Sequence, residues 1–207
     1  MKLFLEQHYY LVSLVLLAAA LGLFALNFER RRSRTRELVL IAVLVALAVA
    51  SRAAFFWAPQ VKPIMAVVIV AGIVLGARSG FATGALSALV SNFIFGQGPW
   101  TPWQMLGFGL ISAMAALLFA PGRLPRNRWL VAAFGGLSTL VIYGVLVDTS
   151  SVLLYAQTLS WSTAWPIYAA GVPFNAIFAA STAIFLVLFG PALEGALTRV
   201  RTKYGLR

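Results

Sequence analysis

Long apolar runs, separated by short polar or basic segments, dominate this chain. We count seven runs, at about residues 9–28, 38–57, 62–77, 80–96, 102–120, 129–149 and 170–190. A run of roughly 18 or more apolar residues predicts a membrane-spanning helix, because that length crosses the hydrocarbon layer. The pattern therefore predicts an all-α polytopic membrane protein. A soluble fold is disfavoured, because 61% of the residues are hydrophobic and only 10% are charged.

The segment between the last two runs is less apolar than its neighbours. Residues 149–169 contain Tyr155, Trp161, Trp165, Pro166 and Tyr168. Tryptophan and tyrosine favour the lipid headgroup zone. We therefore expect an outer loop here, with or without a short interfacial helix.

Basic residues follow every second apolar run. Seven alternating spans place thirteen of the sixteen Lys and Arg residues on one side of the membrane: Arg30, Arg31, Arg32, Arg34, Arg36, Arg78, Arg123, Arg126, Arg128, Arg199, Arg201, Lys203 and Arg207. Short loops rich in Lys and Arg stay in the cytoplasm. The charge pattern predicts a bacterial inner-membrane protein with its N-terminus outside and its C-terminus inside. It also explains the net charge of +11 by lipid contacts, without nucleic acid.

The first run differs from a cleavable signal peptide, because its positive charge follows the apolar residues. Cleavage at Ala18-Ala19-Ala20 is the alternative. We expect a retained transmembrane anchor at residues 1–29, a basic cytoplasmic linker at 30–37 and a six-helix core at 38–207.

Several classes of chemistry lack the residues they require. The chain has no cysteine and a single histidine, His8, which excludes disulfides, thiolate catalysis and a histidine-cluster metal site. No phosphate-binding loop for ATP is present. Ser87 and Ser91 lack a nearby base that would activate them. The sequence predicts neither an enzyme nor a bound cofactor.

Alanines recur at every fourth position of the second run, as Ala42, Ala46, Ala50 and Ala54. Spacing of four places them on one helix face, where small side chains let another helix approach closely. The neighbour is either another helix of the same bundle or a partner protein.

Polar residues gather near the predicted outer ends of the spans. Arg52 lies inside the second run, and a charge at that depth indicates a functional site. Asp148 is the acid at matching depth, so we expect that the two side chains pair or face one aqueous cavity. The alternative is that Arg52 extends to the outer interface. Lys62, Tyr155 and Asn175 are weaker candidates at the same level.

The segment Gly96–Gln104 combines two prolines, two tryptophans and two glutamines beside Asn92. Proline and glycine make a rigid, kinked entry into the next span. Trp100 and Trp103 either anchor the chain at the interface or wall a pocket for a flat ligand. In the second case Gln97 and Gln104 supply directional hydrogen bonds.

The chain resembles the substrate-binding S components of bacterial energy-coupling factor (ECF) transporters over about residues 36–207. The resemblance rests on these segments: 51–56, 61–63, 91–93, 95–105, 148–149, 173–175 and 201–205. It implies a six-helix protein that binds a vitamin at the outer face and docks on a transmembrane T subunit with two ATPase subunits. It also implies that Ala42, Ala46 and Ala50 form the docking face.

The resemblance is strongest to S components associated with cobalamin. A broad pocket lined by Trp100, Trp103, Tyr155 and Trp161 suits a large ring, and the same residues suit a deazapurine or a flavin. The predicted substrate-binding residues are Arg52, Lys62, Asn92, Gln97, Trp100, Trp103, Gln104, Asp148, Tyr155 and Asn175. Two other classes stay open, namely an ion-coupled secondary transporter of a small organic solute and a structural membrane subunit.

Overall fold

The structure is a computed structural model that describes residues 11, 15, 18, 19, 22, 35–156 and 160–204. Its helices are α1 (Thr35–Ala54), α2 (Ile64–Leu75), α3 (Ala77–Phe95), α4 (Thr101–Leu118), α5 (Arg128–Ser138), α6 (Gly144–Tyr155) and α7 (Trp161–Lys203). A π-helical segment, Thr139–Tyr143, joins α5 directly to α6. The described ranges thus form six helical rods without a strand, which confirms the all-α fold. The predicted anchor falls almost entirely outside the described residues, and it stays a prediction.

Four rods are long and apolar enough to cross a membrane: α1, α4, the continuous Arg128–Tyr155 rod and α7. Helices α2 and α3 are not among these four, and the 12 residues of α2 rise only about 18 Å. All but the last of them are buried. A helix that is apolar all round is stable when other helices surround it, and α1, α3, α4 and α7 pack around α2.

The predicted outer loop at residues 149–169 is wrong. Helix α6 continues to Tyr155, and α7 already begins at Trp161. Hydroxyl groups lower the hydropathy of this segment, but they are compatible with a helix because they can bond to its own backbone. The Thr149 hydroxyl, for example, donates to the carbonyl oxygen of Val145 at 2.6 Å. Ser160 caps α7 through a reciprocal capping box. The helices therefore form a hairpin that extends to Tyr155 and Trp161, and Thr149 meets the Tyr168 hydroxyl across it at 2.7 Å.

Close helix contacts at glycines hold the centre of the bundle together. A Cβ atom at Gly72 of α2 would overlap the carbonyl oxygen of Ser112 on α4. One at Gly84 of α3 would lie 2.5 Å from the carbonyl oxygen of Phe108. Gly76 joins α2 to α3 in one residue at φ +91°, a conformation that glycine adopts without strain. The glycines at 72 and 84 therefore serve packing within the core.

One end of the bundle carries most of the described basic residues, and we call it the basic end. Here α1, α3 and α5 begin, and α2, α4 and α7 end. The Nη1 atom of Arg201 donates to the carbonyl oxygen of Val74 at 2.7 Å. Arg126 donates to the carbonyl oxygen of Phe119 at 2.9 Å and forms an ion pair with Glu194. These arginines satisfy carbonyl groups that a helix leaves unpaired at its C-terminus.

Candidate ligand-binding site

A polar cavity of about 210 Å³ opens at the end of the bundle opposite to the basic end. Residues from all six rods and from the α1–α2 loop line it. The lining residues are Arg52, Gln60, Lys62, Ile64, Ala88, Gln104, Phe108, Tyr143, Val147, Asp148, Gly171, Phe174, Asn175 and Phe178. Concave sites with a few convergent polar groups on an apolar floor are typical of ligand pockets.

Arg52 lies in the last turn of α1 and is anchored on α3. Its Nη1 atom donates to Ser91 Oγ at 2.7 Å and to Asn92 Oδ1 at 3.0 Å. Its guanidinium carbon lies 4.6 Å from the centre of the Phe95 ring. The Nε–H group is buried and has no hydrogen-bond partner in the described part of the chain. Arg52 is thus held in place by α3 at the edge of the cavity.

Lys62 lies in the loop between α1 and α2. Its backbone N–H donates to Ser181 Oγ of α7 at 2.9 Å, which fixes the loop over the bundle. Burial, with a smaller contribution from the positive charge of Arg52, lowers the pKa of Lys62 to about 8. A ligand atom that accepts a hydrogen bond would therefore stabilise the charged form of the Lys62 side chain.

Gln104 lies in the first turn of α4 and completes a group of donors. Its Oε1 atom accepts a hydrogen bond from Asn92 Nδ2 at 2.7 Å. The oxygen is therefore engaged by Asn92, whereas the Nε2 group faces the cavity, where Gln104 also forms a hydrogen bond with the Tyr143 hydroxyl. We call Arg52, Lys62 and Gln104 the donor set.

Asp148 of α6 and Asn175 of α7 form the acceptor set. Asn175 Nδ2 donates to Asp148 Oδ2 at 2.8 Å, so the second carboxylate oxygen and the amide oxygen of Asn175 remain as acceptors. Two glycines make room for this pair. A Cβ atom at Gly171 would overlap the carboxylate of Asp148, and one at Gly144 would lie 2.9 Å from Asn175. Both glycines are therefore needed for these helices to approach.

Three aromatic rings form an apolar floor beside these polar groups. The centroids of Phe108 and Tyr143 lie 5.4 Å apart, those of Tyr143 and Phe178 5.2 Å, and those of Phe108 and Phe178 6.4 Å. Such clusters offer both ring faces and ring edges to a ligand. The cavity thus combines a donor set, an acceptor set and an aromatic floor.

The structure brings five of the ten predicted binding residues together at this cavity: Arg52, Lys62, Gln104, Asp148 and Asn175. Arg52 and Asp148 make no ion pair with each other, and both line the cavity, which is the second of the two predicted arrangements. Contact with a ligand stays a prediction for all of them.

The other five predicted residues do not line the cavity. Asn92 is 1% exposed and lies behind it, and Trp103 is 5% exposed. The Gln97 side chain accepts from Thr101 Oγ1 at 2.8 Å and donates to the carbonyl oxygen of Leu89, so it braces the corner before α4. The Trp100 ring packs against Gly98. Tyr155 lies near the tip of the hairpin and is 68% exposed.

Sequence reasoning missed two polar lining residues, Gln60 and Tyr143. Gln60 has a φ of 61°, a left-handed conformation that is uncommon outside glycine and that concentrates near functional sites. Its position beside Lys62 in a short loop was the available signal. Tyr143 lies within an apolar run, where a tyrosine is indistinguishable from other core aromatics.

The alanine ladder of α1 faces outward. Ala42, Ala46, Ala50 and Ala54 are exposed, whereas the opposite face of α1 packs on α2 and α3. Packing within the described bundle therefore does not account for the ladder. This face carries no charge and is available to another helix.

Fold and cavity together define a polytopic membrane protein with a polar pocket at one end of a helical bundle. The sequence model of the family described as ECF-type riboflavin transporter, S component, matches residues 32–194. Since the match covers most of the chain, this protein belongs to that family of ECF transporter S components. No curated protein and no solved structure matches the chain. The comparison confirms the predicted S component, but it does not support the cobalamin assignment.

Proposed function

We propose that this protein captures riboflavin, or a closely related flavin, at the outer face of the bacterial cell membrane. It then delivers the vitamin inward together with a T subunit and two ATPase subunits. The observation that carries the proposal is the match of residues 32–194 to a family described by riboflavin. The polar cavity in the same region supports it.

The chemistry of the cavity suits a flavin ring. The ring of riboflavin is flat, carries carbonyl oxygens and ring nitrogens as acceptors, and has one imide N–H as a donor. The aromatic floor of Phe108, Tyr143 and Phe178 offers it a stacking surface. The donor set matches the carbonyl oxygens and nitrogens, and the acceptor set matches the imide N–H or the sugar-alcohol hydroxyls.

The size of the cavity favours a flavin over cobalamin. A volume of about 210 Å³ lies below the range of about 300–1,000 Å³ that is usual for ligand pockets. A flavin ring needs only a modest opening of this site. Cobalamin is several times larger than riboflavin and would require the rods around the cavity to separate.

The charge distribution supports capture from outside. The basic end carries the arginines that begin α3 and α5 and end α7, and short basic segments stay in the cytoplasm. The cavity lies at the opposite end, so ligand reaches it from the outer side. The C-terminus is then cytoplasmic.

The exposed alanine face of α1 supports docking on the T subunit. Ala42, Ala46 and Ala50 lie along one uncharged side of the helix. Small residues allow the backbones of two membrane helices to approach closely, which strengthens their packing. We assign this face to the T subunit.

Titration of the purified protein with riboflavin, followed by quenching of flavin fluorescence, tests the proposal. We expect saturable one-to-one binding, with cobalamin failing to compete. If the protein bound cobalamin tightly but did not bind riboflavin, cobalamin would be the ligand instead. If none of the vitamins tested bound to the protein, the proposed function would be wrong. Riboflavin uptake by this chain alone in proteoliposomes, without ATP, would instead favour an ion-coupled secondary transporter.

A further inference from the structure

Asn92 joins three helices although it does not line the cavity. Its side chain is 1% exposed on α3. Its Oδ1 atom accepts from Arg52 of α1 at 3.0 Å. Its Nδ2 atom donates to Gln104 Oε1 at 2.7 Å and to Thr101 Oγ1 at 3.0 Å, both on α4. One buried amide therefore connects two residues of the donor set.

The direction of these hydrogen bonds follows from Arg52. A guanidinium only donates, so the Asn92 atom that meets it must be the amide oxygen. The Asn92 nitrogen then faces Gln104 and must meet the oxygen of that side chain. The nitrogen of Gln104 then faces the cavity, where one of its two N–H groups meets the Tyr143 hydroxyl and the other is left for a ligand. The direction of hydrogen bonding is thus fixed along the series from Arg52 through Asn92 to Gln104.

We propose that Asn92 is a positioning residue that sets Gln104 as a hydrogen-bond donor in the cavity. It thereby selects ligands that present an acceptor at that point. The proposal rests on the proposed function, because it assigns to Gln104 one of the carbonyl oxygens or ring nitrogens of a flavin. Asn92 itself does not touch the ligand.

The test reverses the direction of the hydrogen bond between residue 92 and Gln104. In Asn92→Asp the side chain accepts from Arg52 but no longer donates. Gln104 then turns its nitrogen towards the new carboxylate and presents its oxygen to the cavity. We expect riboflavin affinity to fall roughly tenfold, because an acceptor then faces an acceptor.

A double-mutant cycle separates positioning from other effects of the new carboxylate. In a Gln104→Met background, Asn92→Asp no longer has a glutamine to turn, so we expect it to change riboflavin affinity by less than about twofold. If Asn92→Asp weakened binding equally in both backgrounds, the effect would come from the charge beside Arg52, and the proposal would be wrong. If the Asn92→Asp single variant kept the riboflavin affinity of the wild type, the proposal would also be wrong.

A second variant and a matched control test the proposal if Asn92→Asp does not fold. Gln104→Glu keeps an oxygen for Asn92 to donate to, but presents an acceptor to the cavity. We expect a loss of roughly tenfold or more, and wild-type affinity would overturn the proposal. Ser87→Ala is the matched control, because Ser87 is buried on the same helix and its hydroxyl has no partner among the described residues. It should bind riboflavin like the wild type. Absence of riboflavin binding by the wild-type protein would instead count against the proposed function.

Discussion

We expect Lys62 to make binding of the proposed ligand, riboflavin, dependent on pH. Burial, aided by Arg52, lowers the pKa of its ammonium to about 8 in the free protein. A ligand acceptor favours the charged form and therefore raises the pKa of Lys62 in the complex. Affinity is then greatest below about pH 8, where the free protein already carries the proton. It declines as the pH rises from that value towards the pKa of the complex.

The size of the effect follows from the change in one hydrogen bond. A bond from a charged donor contributes about 1.5–3 kcal/mol, and one from a neutral donor about 0.5–1.5 kcal/mol. The difference of about 1–1.5 kcal/mol corresponds to a five- to tenfold loss of affinity, since about 1.4 kcal/mol is tenfold. We expect this loss between roughly pH 7 and pH 9.5.

Fluorescence titration at a series of pH values measures the effect. Lys62→Gln replaces the ammonium by a neutral donor, so we expect its affinity at neutral pH to match that of the wild type at high pH. Its pH dependence should be flat, apart from any titration of riboflavin itself. Lys203→Gln, which lies on the exposed basic end, should behave like the wild type. If Lys62→Gln kept the wild-type pH dependence, another group would be responsible, and the reasoning about Lys62 would fail.

Three other predictions concern the docking face, the core and the acceptor set. Ala46→Trp should abolish co-purification with the T subunit but preserve riboflavin binding, whereas Leu188→Trp on the exposed side of α7 should preserve both. Gly72→Ala should lower the thermal midpoint in detergent by an amount equivalent to about 1–3 kcal/mol, because its Cβ would overlap a carbonyl oxygen; Gly195→Ala, which has open space around it, should be neutral or stabilising. Asp148→Asn should weaken riboflavin binding by roughly tenfold if its carboxylate accepts from the ligand, and unchanged affinity in titration would remove it from the site.

The apolar runs predicted most of the helices, because a membrane helix leaves a strong signal in composition alone. The charge of Arg52 within a run likewise pointed to the cavity, since an unpaired charge there would be costly. Asp148 was found by the same argument. These inferences need only the residue and its depth in the membrane.

The remaining parts of the site depend on contacts that composition does not encode. Gln97 and Gln104 are both glutamines of one short segment, yet Thr101 and Leu89 engage the first, and only the second lines the cavity. Their roles differ because of the turn before α4. The helical hairpin was missed because hydroxyl groups that bond to their own helix look polar in a hydropathy profile.

The π-helical segment at Thr139–Tyr143 has a consequence for the direction in which Asp148 faces. A π-turn amounts to one extra residue in an α-helix, and each residue rotates the following chain by about 100°. Deleting Val141 would restore a regular helix and swing Asp148 and its neighbours about a quarter turn away from Asn175. The extra residue therefore sets the direction in which Asp148 faces, and with it the position of the acceptor set.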